Sequence, residues 1–229
     1  MIDKDTTKYI IGIDEVGRGP LAGPVAVCAF MMSIDSFTDS RFKIEETFCK
    51  LPKLRDSKKL SKKQREVWFD YIKVAKTKGL CDYSVTFVSS ENIDKFGIAK
   101  CIQKALNESL KKITSPEVVS ERSSDEGGRG TRPFQKPPLA SFSIYLDGGL
   151  HAPTLYVNQE TIIRGDELYP VISLASIVAK VSRDKVMTKF ALEYPEYGFE
   201  RHSGYGTSAH YAAIKTHGQT PIHRRSFIH

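Results

Sequence analysis

The 229-residue chain carries 34 Lys and Arg against 27 Asp and Glu, a formal net charge of +7, and with a pI near 9.1 it favours a polyanionic partner without naming one. Hydrophobic residues at 40% and charged residues at 27% are ordinary for a globular protein, and the length allows one large domain, or a domain with a small appendage, around a substantial core. Four scattered cysteines without a Cys-x-x-Cys pair argue against a zinc ribbon, the N-terminus shows no apolar signal segment, and the longest apolar stretch, Val25 to Met32, is too short to span a bilayer; the expectation is a cytoplasmic protein with reduced thiols and no membrane partner.

In chain order, Tyr9-Ile10-Ile11-Gly12-Ile13 reads as a buried strand. It ends in two adjacent carboxylates, Asp14 and Glu15, followed by Gly17-Arg18-Gly19 and a Pro- and Gly-rich turn closing at Pro24. Val25 to Met32 is a second strand, predicted to neighbour the first, and residues 33–50 show no period and read as a loop. A lysine-dense stretch follows, in which Ser61 is placed to cap a helix running through about Lys76, with Val67, Trp68, Tyr71, Ile72 and Val74 on its buried face. The lysines, Lys58 among them, suit either a solvated face or phosphate contacts. Cys81 to Val88 alternates as a strand, and Ser90 to Asp94 leads into a helix ending near Lys112. Residues 113–140 are poor in apolar side chains and read as a flexible insertion.

Ser141 to Asp147 repeats the opening pattern, an apolar strand that ends in an aspartate and then Gly148-Gly149. Thr161-Ile162-Ile163-Arg164-Gly165-Asp166 repeats it again. Val171 to Phe190 is a long helical pattern whose Ala175, Ser176 and Ala179 suit close packing. The tail from Tyr194 holds Gly204-Tyr205-Gly206-Thr207, a short helix around residues 208–216 and the basic end His223-Arg224-Arg225-Ser226-Phe227.

Three strand-like segments therefore deliver acids at their ends: Asp14 with Glu15, Asp147, and Asp166. If the strands lie side by side, the carboxylates converge and repel one another unless a cation binds between them, and such hard oxygen donors favour magnesium or manganese over zinc. Adjacent strand residues face opposite ways, so Asp14 and Glu15 serve one site only if the chain turns there, and Gly17-Arg18-Gly19 supplies a turn. In a basic protein such a cluster suggests phosphodiester hydrolysis, with metal ions activating water and stabilising the leaving oxygen, although isolated surface acids are common. Other site types fit poorly. The glycine turn lacks the P-loop pattern, His202, His210, His217 and His223 have no cysteine partner for zinc, and no Gly-x-Ser-x-Gly elbow is present.

The run Gly12-Ile13-Asp14-Glu15-Val16-Gly17-Arg18-Gly19-Pro20-Leu21-Ala22-Gly23-Pro24-Val25 resembles the opening motif of the ribonuclease HII family. Asp56-Ser57-Lys58-Lys59-Leu60, Leu146-Asp147-Gly148, Gly165-Asp166, Ala175 to Asp184, His202 to Thr207 and His223 to Phe227 are similar to its further blocks, in order. The resemblance spans the chain apart from about 113–140 and implies a ribonuclease H-like α/β fold, a mixed sheet flanked by helices with a C-terminal helical extension. It divides the chain into a catalytic domain at 1–190 and a substrate-binding extension at 191–229. It also implies hydrolysis of the RNA strand of RNA–DNA hybrids, and incision 5′ of single ribonucleotides in duplex DNA to leave 5′-phosphate and 3′-hydroxyl ends. Asp14, Glu15, Asp147 and Asp166 are the implied catalytic and metal-binding set, for Mg²⁺ or Mn²⁺. Gly17, Arg18 and Gly19 are the implied sensor of the 2′-hydroxyl, Tyr205 the implied sugar-side tyrosine, and Lys58, Lys180 and Arg183 candidate phosphate contacts, the last two alternatively pairing with Asp184. The partners implied are RNA–DNA hybrid and ribonucleotide-containing duplex, acted on by a monomer. Gly149 stands where the family often has asparagine and Leu174 where alanine is common. A non-catalytic nucleic-acid-binding module is the competing reading, but it leaves the strand-end acids unexplained, since they would repel phosphate. Type HIII ribonuclease is the nearest competitor among enzymes, and the early Gly-Ile-Asp-Glu motif leaves no room before it for that family's N-terminal domain.

Overall fold

A computed structural model describes residues 8–34, 51–54, 57–115 and 141–228. The expected loop at 33–50 lies outside the described residues from 35 onward, and the expected insertion at 113–140 lies outside them from 116 onward. Five strands form one mixed sheet: β1 (Tyr9–Val16), β2 (Val25–Ser33), β3 (Cys81–Val88), β4 (Phe142–Asp147) and β5 (Gln159–Ile162), in the order β3-β2-β1-β4-β5. The pairs β1–β2 and β2–β3 are antiparallel, whereas β1–β4 and β4–β5 are parallel. The helices are α1 (Lys62–Thr77), α2 (Ser90–Phe96), α3 (Ile98–Thr114), α4 (Gly165–Leu168), α5 (Pro170–Glu193), α6 (Phe199–His202) and α7 (Ser208–His217).

Local chemistry accounts for the boundaries. Ser61 caps α1 by accepting from the Gln64 amide, while the Gln64 side chain accepts from the Ser61 amide, a reciprocal box that satisfies two otherwise orphaned donors. The helical stretch after Ser90 is two helices rather than one, broken at Gly97, and the second runs to Thr114 instead of ending near Lys112.

The sheet is covered on both faces, which is why its central strands read as continuous apolar runs. Ile11, Ile13, Ile144 and Leu146 pack with Ile102, Leu106 and Leu110 of α3 on one face. Phe30, Met32, Trp68 and Ile72 meet Ile172, Ala175 and Val178 of α5 on the other. Helix α5 lies hard against β1: a Cβ added to Gly12 would sit 2.3 Å from the Val171 carbonyl oxygen. No larger residue fits without pushing the helix away, an overpacking cost of about 1–3 kcal/mol. That close approach sets the height at which α5 presents Ser173 and Ser176 to the end of β1.

The C-terminal segment returns to the turn that follows β1. The amides of Leu21 and Ala22 donate to the Gly204 carbonyl at 2.8 and 3.3 Å, the Gly23 amide to Ile222 at 2.8 Å, and the Arg224 amide to Leu21 at 2.7 Å. A carboxylate anchors the far end, since Asp94 of α2 accepts from the amides of Arg225 and Ser226 at 2.9 and 3.0 Å and from the Ser226 hydroxyl at 2.6 Å. No helix among the described residues is long and apolar enough to cross a membrane.

Candidate functional site

The parallel register of β1 and β4 pairs Ile13 with Leu146. The next residue on each strand is an aspartate, so Asp14 and Asp147 leave the sheet side by side on the face covered by α5. Asp166 arrives from α4. The third acid is thus not at a strand end, as the sequence pattern suggested. Strand β5 stops at Ile162, the chain turns through Arg164 in a left-handed conformation (φ 59°), and Asp166 sits in a helical turn. Two contacts fix that turn: the Gly165 amide donates to Asp147 Oδ1 at 2.7 Å, and Ser173 Oγ donates to the Asp166 carbonyl at 2.5 Å.

Carboxylate oxygens of Asp14, Asp147 and Asp166 lie within 4.8 Å of one another. Asp14 and Asp166 are buried. Burial, followed by repulsion from Glu15, Asp147 and Asp166, holds the Asp14 carboxyl well above its ordinary range, against a hydrogen bond from Ser176 that favours the charge. Ser176 in turn shares a 2.7 Å hydrogen bond with Ser57. Three mutually repelling oxygen donors at this spacing suit a hard divalent cation, which relieves the repulsion that the protein alone leaves in place. Glu15 stands outside this trio. It projects from the opposite strand face, pairs with Arg18 at 3.5 Å, and is raised by burial and by the Asp147 charge against that arginine.

The turn after β1 is held by two buried arginines. Arg183, expected at a phosphate, is fully buried on α5 instead. It donates from Nε to Pro24 at 2.8 Å, and from its terminal nitrogens to Ser203 at 2.9 Å and Ala22 at 3.2 Å, all backbone carbonyls, which leaves it no reach to solvent. Arg224 donates to the carbonyls of Gly23 (2.9 Å), Arg18 (3.0 Å) and Gly17 (2.7 Å). Burial, and then the like charge of Arg183, pull the Arg224 guanidinium down to about 9, which keeps it protonated at neutral pH. Gly17 has φ +87°, and a Cβ there would lie 2.3 Å from Arg183 Nε, whereas a Cβ on exposed Gly19 would meet nothing within 4 Å. Tyr205, also exposed, follows Gly204 on the strip that bonds this turn.

Of the remaining candidates, Lys58 is largely exposed with Nζ 3.7 Å from Asp166 Oδ2. Lys180 pairs with Asp184 at 2.7 Å, the alternative weighed for it from the sequence. Sequence reasoning missed the roles of Ser57, Ser176 and Arg224. In the sequence Ser176 reads as a small residue suited to helix packing, and Arg224 only as part of a basic end. The signal available for Arg224 was indirect: a Gly- and Pro-rich turn exposes carbonyls that need donors from elsewhere.

A family model described as Ribonuclease HII matches residues 11–229. A ribonuclease HII of Endomicrobium trichonymphae is 38% identical over 219 residues, covering 95% of this chain and 84% of that protein. Among solved structures, the complex of PCNA with RNase HII from Archaeoglobus fulgidus superposes with a TM-score of 0.64 at 23% identity, covering 96% of both chains. Bst-RNase HIII in complex with Mn²⁺ superposes with a TM-score of 0.60 at 13% identity, over 96% of this chain and 67% of that one. The structural likenesses carry the fold, a ribonuclease H-like mixed sheet flanked by helices.

Proposed function

The chain belongs to the ribonuclease HII family, a family of metal-dependent endonucleases, and on that footing we propose that it hydrolyses the RNA strand of RNA–DNA hybrids and incises duplex DNA 5′ of single embedded ribonucleotides, leaving 5′-phosphate and 3′-hydroxyl ends. One observation carries the reading: three carboxylates converge within 4.8 Å directly beside a glycine turn whose carbonyls are tied inward.

Asp14, Asp147 and Asp166 would hold Mg²⁺ or Mn²⁺, with Glu15 completing the acidic set from the other strand face. A divalent ion in that position lowers the pKa of water and neutralises charge building on the leaving oxygen. The protein's own groups do the rest. Ser176 keeps the Asp14 carboxylate oriented, and the Gly165 amide does so for Asp147. Gly17-Arg18-Gly19 brings backbone close to the sugar and tests for the 2′-hydroxyl, which is what separates RNA from DNA. Tyr205 stacks on the neighbouring deoxyribose and bonds the 2′-oxygen. Lys58, beside Asp166, and Lys180 supply positive charge to flanking phosphates; Arg183 acts by bracing the turn instead. Residues 1–190 carry the acids and 191–229 carry Tyr205. The same reading has the protein act as a monomer in the cytoplasm.

The test incubates the protein with a DNA duplex holding one ribonucleotide, an RNA–DNA hybrid and an all-DNA duplex, each with Mg²⁺, Mn²⁺ or EDTA. Incision of the first two with a divalent ion, none of the all-DNA duplex and none in EDTA is expected, with end-labelling showing a 5′-phosphate. Binding without incision under either ion would overturn the enzyme reading in favour of a binding module.

A further inference from the structure

Arg224 makes no ion pair among the described residues and sits fully buried. Burying a guanidinium without a carboxylate is costly unless dense hydrogen bonding offsets it. Here all three of its nitrogens are spent on one turn: Nε on Gly23, one terminal nitrogen on Arg18, the other on Gly17. The planar fork is suited to this because it presents several donors at fixed angles.

The consequence follows from peptide planarity. The carbonyl of residue 17 and the amide of residue 18 belong to one rigid unit and point in opposite directions. Drawing the Gly17 carbonyl inward therefore turns the Arg18 amide outward, and drawing the Arg18 carbonyl inward does the same for the Gly19 amide. Both residues are exposed, and among the described residues neither amide donates to a protein acceptor. Two adjacent outward amides form a small concavity for an electronegative oxygen.

We propose that Arg224 is the positioning residue of ribonucleotide recognition: it touches no substrate, but by fixing two peptide planes it keeps the Arg18 and Gly19 amides aimed at the 2′-hydroxyl. The proposal rests on the function argued above. Asp94 is the next link outward, since it ties down Arg225 and Ser226 immediately behind Arg224.

The test measures binding in EDTA, where nothing is cut, to two duplexes that differ only in one 2′-hydroxyl. The variants are Arg224→Lys, which keeps the charge but loses the fork, and Asp94→Ala, which loosens the anchoring segment from a half-buried position outside the turn. Arg224→Lys is expected to lower the preference for the ribonucleotide duplex by roughly tenfold, the scale of a hydrogen bond involving a charged group, while affinity for the all-DNA duplex stays the same. Asp94→Ala is expected to shift the preference in the same direction by less, and it decides the matter if Arg224→Lys does not fold. An unchanged preference in a folded variant, or a parallel loss for both duplexes, would overturn the proposal. If the unmodified protein itself shows no preference for the ribonucleotide duplex, the underlying functional reading fails first, and that result is distinct from either of these.

Discussion

His223 donates from Nε2 to Nε2 of His210, 3.1 Å away, and both rings are buried. Their outer partners fix the tautomers. His223 Nδ1 accepts from the Thr220 amide at 2.8 Å, so its proton is on Nε2; His210 Nδ1 faces the Tyr205 carbonyl at 2.9 Å, so its proton is on Nδ1. The pair works only when both rings are neutral, because a further proton would set two N–H groups against each other.

The first expectation is acid sensitivity. Burial, and then the neighbouring imidazole, lower His223 to about 4, while burial and His202 lower His210. With the folded pKa below the unfolded value of about 6.5, the unfolded chain binds more protons between the two, so stability rises with pH there. The contribution is fully present above pH 6.5 and is lost as pH falls towards 4, about 3 kcal/mol for His223 alone. Unfolding midpoints measured across that window should fall on acidification, and His223→Gln should flatten the slope. A wild-type midpoint that does not move between pH 6.5 and 5 would refute the wiring.

Asp14→Asn should abolish incision yet stabilise the metal-free protein. The raised Asp14 carboxyl marks a charge that burial and three neighbouring acids oppose. A group of that kind contributes stability below its unfolded pKa that is lost as pH rises, so at neutral pH its neutralisation is favourable. Calorimetry in EDTA checks this, and Mg²⁺ or Mn²⁺ should raise the midpoint of the unmodified protein much more than that of the variant. A variant that cuts at the normal rate would remove Asp14 from the centre.

The two glycines flanking Arg18 should separate cleanly. Gly17→Ala forces a Cβ onto Arg183 Nε at 2.3 Å in a left-handed backbone and should cost about 1–3 kcal/mol of stability. Gly19→Ala meets nothing within 4 Å, so its stability should stay within about 0.5 kcal/mol, while its affinity for the ribonucleotide duplex falls. Melting curves and binding measured on the same samples distinguish the two, and a destabilised Gly19→Ala would contradict the open space seen there.

Lys58→Ala should leave stability nearly unchanged, because an exposed ammonium 3.7 Å from a carboxylate contributes at most about 1 kcal/mol. Its effect should appear as a raised KM with a steeper dependence on neither ion nor pH, and as a shallower fall of affinity with salt. An unchanged salt slope would take Lys58 out of phosphate contact.

How much of this was legible in the sequence depended on whether the information was local. The strand end at Asp147 and the Ser61 cap were local, and they stand where the pattern put them, whereas β1 runs two residues past Asp14 to Val16. Asp166 was identified but misplaced, because nothing in Ile163-Arg164-Gly165 announces that a non-glycine will take a left-handed turn and start a helix. The sequence offers Arg183 as a phosphate contact or a partner of Asp184 and gives no sign of its burial, because α5 is buried nearly all round from Val171 to Ala179 and no apolar stripe marks which side faces water. Arg224 is 207 residues from Gly17. A side chain's duty to a turn so far away in the chain is set by the tertiary fold alone.

That separation has a consequence for the order in which the protein becomes competent. Chains emerge from the ribosome N-terminal end first, and the last acid of the centre, Asp166, is made well before Arg224. A nascent or prematurely terminated chain can therefore possess its acidic trio while the Gly17-Arg18-Gly19 turn still lacks the guanidinium that ties its carbonyls. If the turn reads the 2′-hydroxyl as proposed, discrimination would be the last property this polypeptide acquires, and truncation should strip it before it strips the acids.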